Sequence, residues 1–213
     1  MTAAITRRLA LRSALLASAV VPLLPRLAHA APSVGSPAPG FELPDQDGAI
    51  HRLADFRGRI MVLEWTNHEC PYVRKHYGSG NMQALQAEAT GSGIVWLSMA
   101  SSPEGMQGHV TGTEARELTA SRGARPTAVL LDPQSQASRA YAATTTPEMF
   151  IIGPDGTLLY MGGIDSIRST RPADIAKAEP YFRNAMLDVL AGRPVAKAVT
   201  QPYGCAVKYA PSA

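Results

Sequence analysis

The chain has 213 residues with two cysteines, enough for one domain whose core needs no staples. Its formal charge of +3 is not the footprint of a nucleic-acid binder, because Arg7, Arg8, Arg12 and Arg26 all lie in the first thirty residues. No acid offsets them there, and the remainder carries −1, so nucleic acid is set aside as a partner.

In chain order, Thr6-Arg7-Arg8-Leu9-Ala10-Leu11-Arg12 precedes an apolar stretch from Ala14 to Leu24, and Ala28-His29-Ala30 follows. A basic head, a short apolar centre and an A-x-A end make residues 1–30 a secretory signal, cut near Ala30/Ala31. The stretch is interrupted by Pro22 and Pro25 and falls short of the roughly 18–20 residues of a membrane span. The arginine pair is of twin-arginine type with Ala10 in place of the usual aromatic, so the general secretory route stays open. The expected location is periplasmic or otherwise exported, with no stable membrane insertion after cleavage and an oxidising environment for Cys70 and Cys205.

Residues 31–40 read as an extended lead-in, residues 41–192 as one domain, and residues 193–213 as an irregular tail carrying Cys205. Phe41–Leu43 and Ala49–Leu53 flank Asp45-Gln46-Asp47-Gly48, the pattern of a hairpin. Ile60–Trp65 is a buried strand. A helix begins after Cys70 and ends near Gly78-Ser79-Gly80, and a second runs from a capping Asn81 to Thr90. Ile94–Met99 and Thr127–Leu131 are strands on either side of a helix at Glu114–Arg122. A short helix runs from Asp132-Pro133 to Ala143, and Glu148–Ile152 and Leu158–Gly162 make a second hairpin. Pro180 opens the last helix, whose Phe182, Ala185, Met186, Val189 and Leu190 form one apolar stripe.

Three segments carry the chemistry: Trp65-Thr66-Asn67-His68-Glu69-Cys70-Pro71-Tyr72-Val73, then Thr146-Pro147-Glu148-Met149-Phe150-Ile151-Ile152-Gly153-Pro154-Asp155-Gly156, and Gly204-Cys205-Ala206-Val207-Lys208-Tyr209. The first places a thiol where a strand gives way to a helix. Unpaired backbone N–H groups and the positive end of the helix dipole favour thiolate there, and thiolate is the reactive form. With the order of elements, these segments resemble the thioredoxin fold in its peroxiredoxin-like (redoxin, AhpC/TSA-like) branch. That is an α/β architecture with a central mixed sheet flanked by helices, here with an N-terminal hairpin and a C-terminal tail.

The resemblance implies a cis peptide at Pro147 beside the reactive cysteine. It also implies that the backbone of Thr146 pairs with an extended substrate segment by strand addition. Cys70 is then the nucleophile and Cys205 the second thiol, with Asn67, Pro71, Tyr72, Thr146 and Pro147 in positioning roles. Two departures bear on the activity. Cys70-Pro71-Tyr72-Val73 looks like a C-P-Y-C motif that has lost its second cysteine to Val73, and Asn67 stands where a peroxiredoxin has threonine or serine.

Disulfide exchange asks for an ionised, accessible thiol and a second thiol to release the mixed disulfide. Lys75, His68 and His76 are read as solvated or loop residues with no base among them, and Glu69 opposes the positive potential at the thiol. The expected function is an exported thiol-disulfide oxidoreductase acting on a protein or small-molecule disulfide, with Cys205 or an external thiol resolving and an external dithiol as donor. The alternatives are a thiol peroxidase with an antioxidant role, a binding module with a structural Cys70–Cys205 bridge, and a copper binder using His68, Cys70 and His76. The copper-handling branch has cysteine at the place of Thr66. No cofactor or resident metal is expected, and no nucleotide loop or hydrolase elbow occurs.

Overall fold

The computed structural model describes residues 31–211, so the secretory-signal reading of residues 1–30 lies outside the described residues. Among the described residues no helix is long and apolar enough to cross a membrane. The expected N-terminal hairpin forms from β1 (Glu42–Pro44) and β2 (Ile50–Arg52). There follow β3 (Met61–Thr66), α1 (Pro71–Gly78), α2 (Asn81–Gly91), β4 (Val95–Ala100), α3 (Gly112–Ser121), β5 (Ala128–Leu131) and α4 (Gln136–Ala140). The chain ends with β6 (Thr145–Thr146), β7 (Glu148–Ile152), β8 (Leu158–Gly162), α5 (Tyr181–Leu190) and β9 (Cys205–Ala206).

The central sheet has the order β5-β4-β3-β7-β8. β3, β4 and β5 are parallel, joined by helical crossovers, and β7 and β8 return antiparallel. This is a thioredoxin-like α/β fold. Helices and loops cover both faces, so β3 reads as a nearly continuous apolar run rather than an alternating one. Its side chains still alternate: Met61, Leu63 and Trp65 enter one core with Phe150 and Tyr141, while Val62 enters a second with Val73, Trp96 and Phe182.

Several local features differ from the sequence reading. α2 is preceded by Gly80 at φ 77, a left-handed cap open to glycine, and Asn81 is its first residue rather than its cap; the Asn81 amide instead meets His76 Nδ1 at 2.9 Å. The helix expected from Asp132 starts only at Gln136, because the Asp132 carboxylate accepts from the N–H groups of Gln136 and Ser138 and from the Ser138 hydroxyl, holding a turn ahead of it. α5 buries Phe182, Ala185 and Met186, but Leu190 at the end of the stripe is exposed. The lead-in runs alongside β8 through Gly35 N–H to Leu158 O and Leu158 N–H to Ser36 O, both 2.9 Å. The tail, expected to be irregular, contributes β9, which pairs antiparallel with β6.

Candidate active site

The loop from β3 to α1 is built by its polar side chains. Asn67 Oδ1 accepts from the Glu69 N–H at 2.9 Å and its amide donates to Gln107 O at 3.1 Å, bending the chain toward α1. Glu69 turns away from the thiol, accepting from the Gly108 N–H at 2.6 Å. Cys70 then stands at the N-cap of α1 with Pro71 as the first helical residue, where a missing N–H costs nothing.

Across from it the Thr146–Pro147 peptide is cis. β6 and β9 pair with Thr146 opposite Cys205, so the tail lies along the backbone edge that the resemblance assigned to a substrate strand. The approach is close: a Cβ on Gly204 would stand 2.0 Å from Thr146 O, which explains why glycine precedes Cys205. Cys70, Thr146, Pro147 and Cys205 therefore meet, and Tyr72 packs edge-on against Tyr203 with ring centroids 5.7 Å apart.

Both cysteines are free thiols. When protonated, Cys70 donates to Thr146 O at 3.1 Å. Burial works against its ionisation, but hydrogen bonds from the Cys205 thiol, the Val73 N–H, the Thr146 hydroxyl and the Cys205 N–H outweigh it and hold the Cys70 pKa below the usual thiol value. Cys205 moves the other way, pushed up to about 12 by burial, by its hydrogen bond to Cys70 and by the charge there. The two pKa values are thus pulled apart, so that Cys70 is the first of the pair to ionise.

Three expectations need correction. Cys70 is not openly accessible, with 0% of its surface exposed beneath the tail. Lys75 and His76, read as solvated, are buried. The Lys75 ammonium donates to Asp165 Oδ2, Ile167 O and Tyr203 OH at 3.1, 3.2 and 3.0 Å. His76 lies with Nε2 3.4 Å from Tyr203 OH and Nδ1 against Asn81, and burial lowers its pKa to about 4. With both ring nitrogens engaged, His76 does not join His68 and Cys70 as a ligand, and among the described residues no group of three His, Cys, Asp or Glu side chains could hold a metal ion. Sequence reasoning missed Asp165 and Tyr203. Tyr203 carried a faint signal in its place two residues before Cys205; Asp165 carried none.

Residues 34–161 match the model of the AhpC/TSA family, and the chain belongs to that family. The thiol-disulfide oxidoreductase ResA of Geobacillus thermodenitrificans is 28% identical over 131 residues, a match covering 58% of this chain and 66% of that relative, just under two thirds of its length. Among solved structures, an uncharacterized conserved protein from Geobacillus kaustophilus superposes with a TM-score of 0.74 at 25% identity, over 85% of this chain and 94% of the other. A hypothetical protein from Sinorhizobium meliloti 1021 gives 0.71 at 22% identity, over 86% and 98%, a likeness of fold.

Proposed function

We propose that this member of the AhpC/TSA family is an exported thiol-disulfide oxidoreductase in which Cys70 attacks a substrate disulfide and Cys205 resolves the product. The observation that supports it is the paired arrangement of the thiols: Cys70 at a helix N-terminus, its pKa held below the usual thiol value, with Cys205 set against it on the strand paired to Thr146 beside the cis proline. The name of the ResA relative points to the same reaction.

In the first step the Cys70 thiolate forms a bond to one substrate sulfur, and the substrate S–S bond breaks toward the other, which leaves as thiolate. Cys205 gives its proton to the substrate thiolate released in the first step and attacks Cys70 Sγ, and the second substrate sulfur leaves as thiolate. The two electrons that reduced the substrate leave Cys70 and Cys205 joined in a bridge, which an external dithiol returns to two thiols. Export rests on the basic, apolar and A-x-A segments of residues 1–30. Peroxide reduction at Cys70 is the lesser reading, since the Asn67 amide that stands in the peroxiredoxin threonine's place is spent on Glu69 and Gln107.

The deciding experiment oxidises the purified chain, maps the Cys70–Cys205 bridge by mass spectrometry, and equilibrates it against glutathione and dithiothreitol buffers. A bridge with a potential well above about −300 mV, and dithiol-driven reduction of a peptide disulfide that is lost in Cys70→Ser, is the expected result. A lower potential with no turnover would leave a structural staple on a binding module.

A further inference from the structure

Cys70 is wholly buried, in a core that Tyr203 and Cys205 of the tail help to form, so whatever holds residues 203–206 in place governs the meeting of the two thiols. β9 cannot do this alone, as its two residue pairs with β6 are far fewer than a strand needs to be stable by itself. Downstream it is held by Val207 N–H on Thr144 O and by Tyr209 on Ser138 O and Ala143 O, and a buried attachment to the Cys70 helix lies two residues upstream. Tyr203 is buried, and its hydroxyl donates to Asp165 Oδ1 while accepting from Lys75 Nζ at 3.0 Å. Lys75 spends all three ammonium protons, on Asp165, on Ile167 O and on Tyr203.

The connectivity gives this cluster its meaning. Lys75 sits on α1, the helix that begins at Cys70; Tyr203 sits on the segment that ends at Cys205; Asp165 comes from the loop after β8. Burying an ion pair gains little net stability, because desolvation offsets the attraction, whereas a fully hydrogen-bonded pair fixes a geometry. The geometry fixed here is that of the tail against the helix carrying the thiolate. We propose that Lys75, Asp165 and Tyr203 are positioning residues that latch the tail over α1, holding Cys205 against Cys70 and occupying the Thr146 edge until a substrate strand displaces it. The consequence for catalysis rests on the oxidoreductase reading; the latch itself does not.

Tyr203→Phe tests it, removing the hydroxyl while keeping the ring against Tyr72. Cys70 alkylation by iodoacetamide in the reduced full-length chain, read by peptide mass spectrometry, reports tail opening. Losing a hydrogen bond to charged partners should speed this alkylation about ten-fold or more, and slow closure of the Cys70–Cys205 bridge from a Cys70–glutathione mixed disulfide. Asp165→Asn should act in the same direction. Ile152→Val, a truncation in β7 whose side chain lies in the core of Met61 and Leu158 rather than that of Cys70 and Tyr203, should lower the melting temperature and leave both rates alone. Unchanged rates in Tyr203→Phe, or equal changes in Ile152→Val, would overturn the latch. A wild-type chain that never forms the bridge would sink the oxidoreductase reading instead, with the alkylation comparison still deciding the latch.

Discussion

The pKa values of the two thiols move in opposite directions although burial pushes both up, because their other surroundings differ. Cys70 is the more buried, yet it faces two backbone N–H groups, a hydroxyl and the other thiol, while Cys205 is raised by burial and by donating to Cys70. Replacing Cys205 by Ala removes the thiol donor, so the Cys70 pKa should rise; thiolate absorbance near 240 nm, followed against pH in the reduced protein, checks it, and an unmoved titration would mean that the N–H groups and the Thr146 hydroxyl set the value. His76 carries a second pH signature. Burial depresses its pKa to about 4 from about 6.5, so the folded chain binds fewer protons than the unfolded one in that interval. Its contribution is intact above pH 6.5 and is lost progressively as pH falls toward 4, by about 3 kcal/mol in all. Urea unfolding at pH 7 and pH 4 should show that loss, and a His76→Gln variant should show less of it. The sequence could not reveal this burial: Arg74-Lys75-His76 reads as a solvated face, and the Asp165 that accepts the Lys75 charge lies 90 residues on.

At the scale of elements, the Cys-Pro helix start and the Thr-Pro hairpin were legible because each has a residue whose backbone chemistry is distinctive. β9 was not, since two residues carry no periodicity and the strand exists only through its partner β6. Gly204 is the residue that admits it. Gly204→Ala should force the tail off Thr146, exposing Cys70 to alkylation and abolishing bridge closure while far-ultraviolet circular dichroism stays native; retained closure would mean that β6 can yield. Glu64 is the other element-level feature that the apolar run hid. Wholly buried in β3, it accepts from Tyr77 of α1, Gln86 of α2, and Trp96 and Ser98 of β4, tying three elements to the central strand. The Gln86 amide and the Trp96 indole can only donate, so Glu64→Gln must direct its N–H₂ at the Tyr77 or Ser98 hydroxyl, which then accepts where it had donated. A loss of about 1–3 kcal/mol in urea unfolding is expected, and an unchanged midpoint would show that the amide finds another partner.

For the molecule as a whole, the order of strands, helices and hairpins is written in periodicity, so the thioredoxin-like sheet follows from the sequence. The closing of the chain on itself is not, since the tail returns over the helix start through contacts made by single side chains: Tyr203 to Lys75 and Asp165, and Tyr209 to Ser138 O and Ala143 O. A bridge at that point would link positions 70 and 205 and enclose most of the domain. In the chain-entropy model a loop this long restricts the unfolded ensemble by about 4–5 kcal/mol, a quantity that native strain reduces. For a domain of this size each kcal/mol moves the melting temperature by about 2–4 °C, so a bridge that kept the full loop value would raise melting by about 10 °C or more over the reduced form, with Cys205→Ser indifferent to oxidation. The size of that gap also reads out function. By linkage, a bridge that stabilises the fold is stabilised equally by the fold and becomes harder to reduce, so a working redox pair must give back part of the entropic gain as strain or lost contacts in the oxidised state. A melting shift near the full loop value should therefore accompany a low potential and a structural role, and a much smaller shift the exchange chemistry proposed for Cys70 and Cys205.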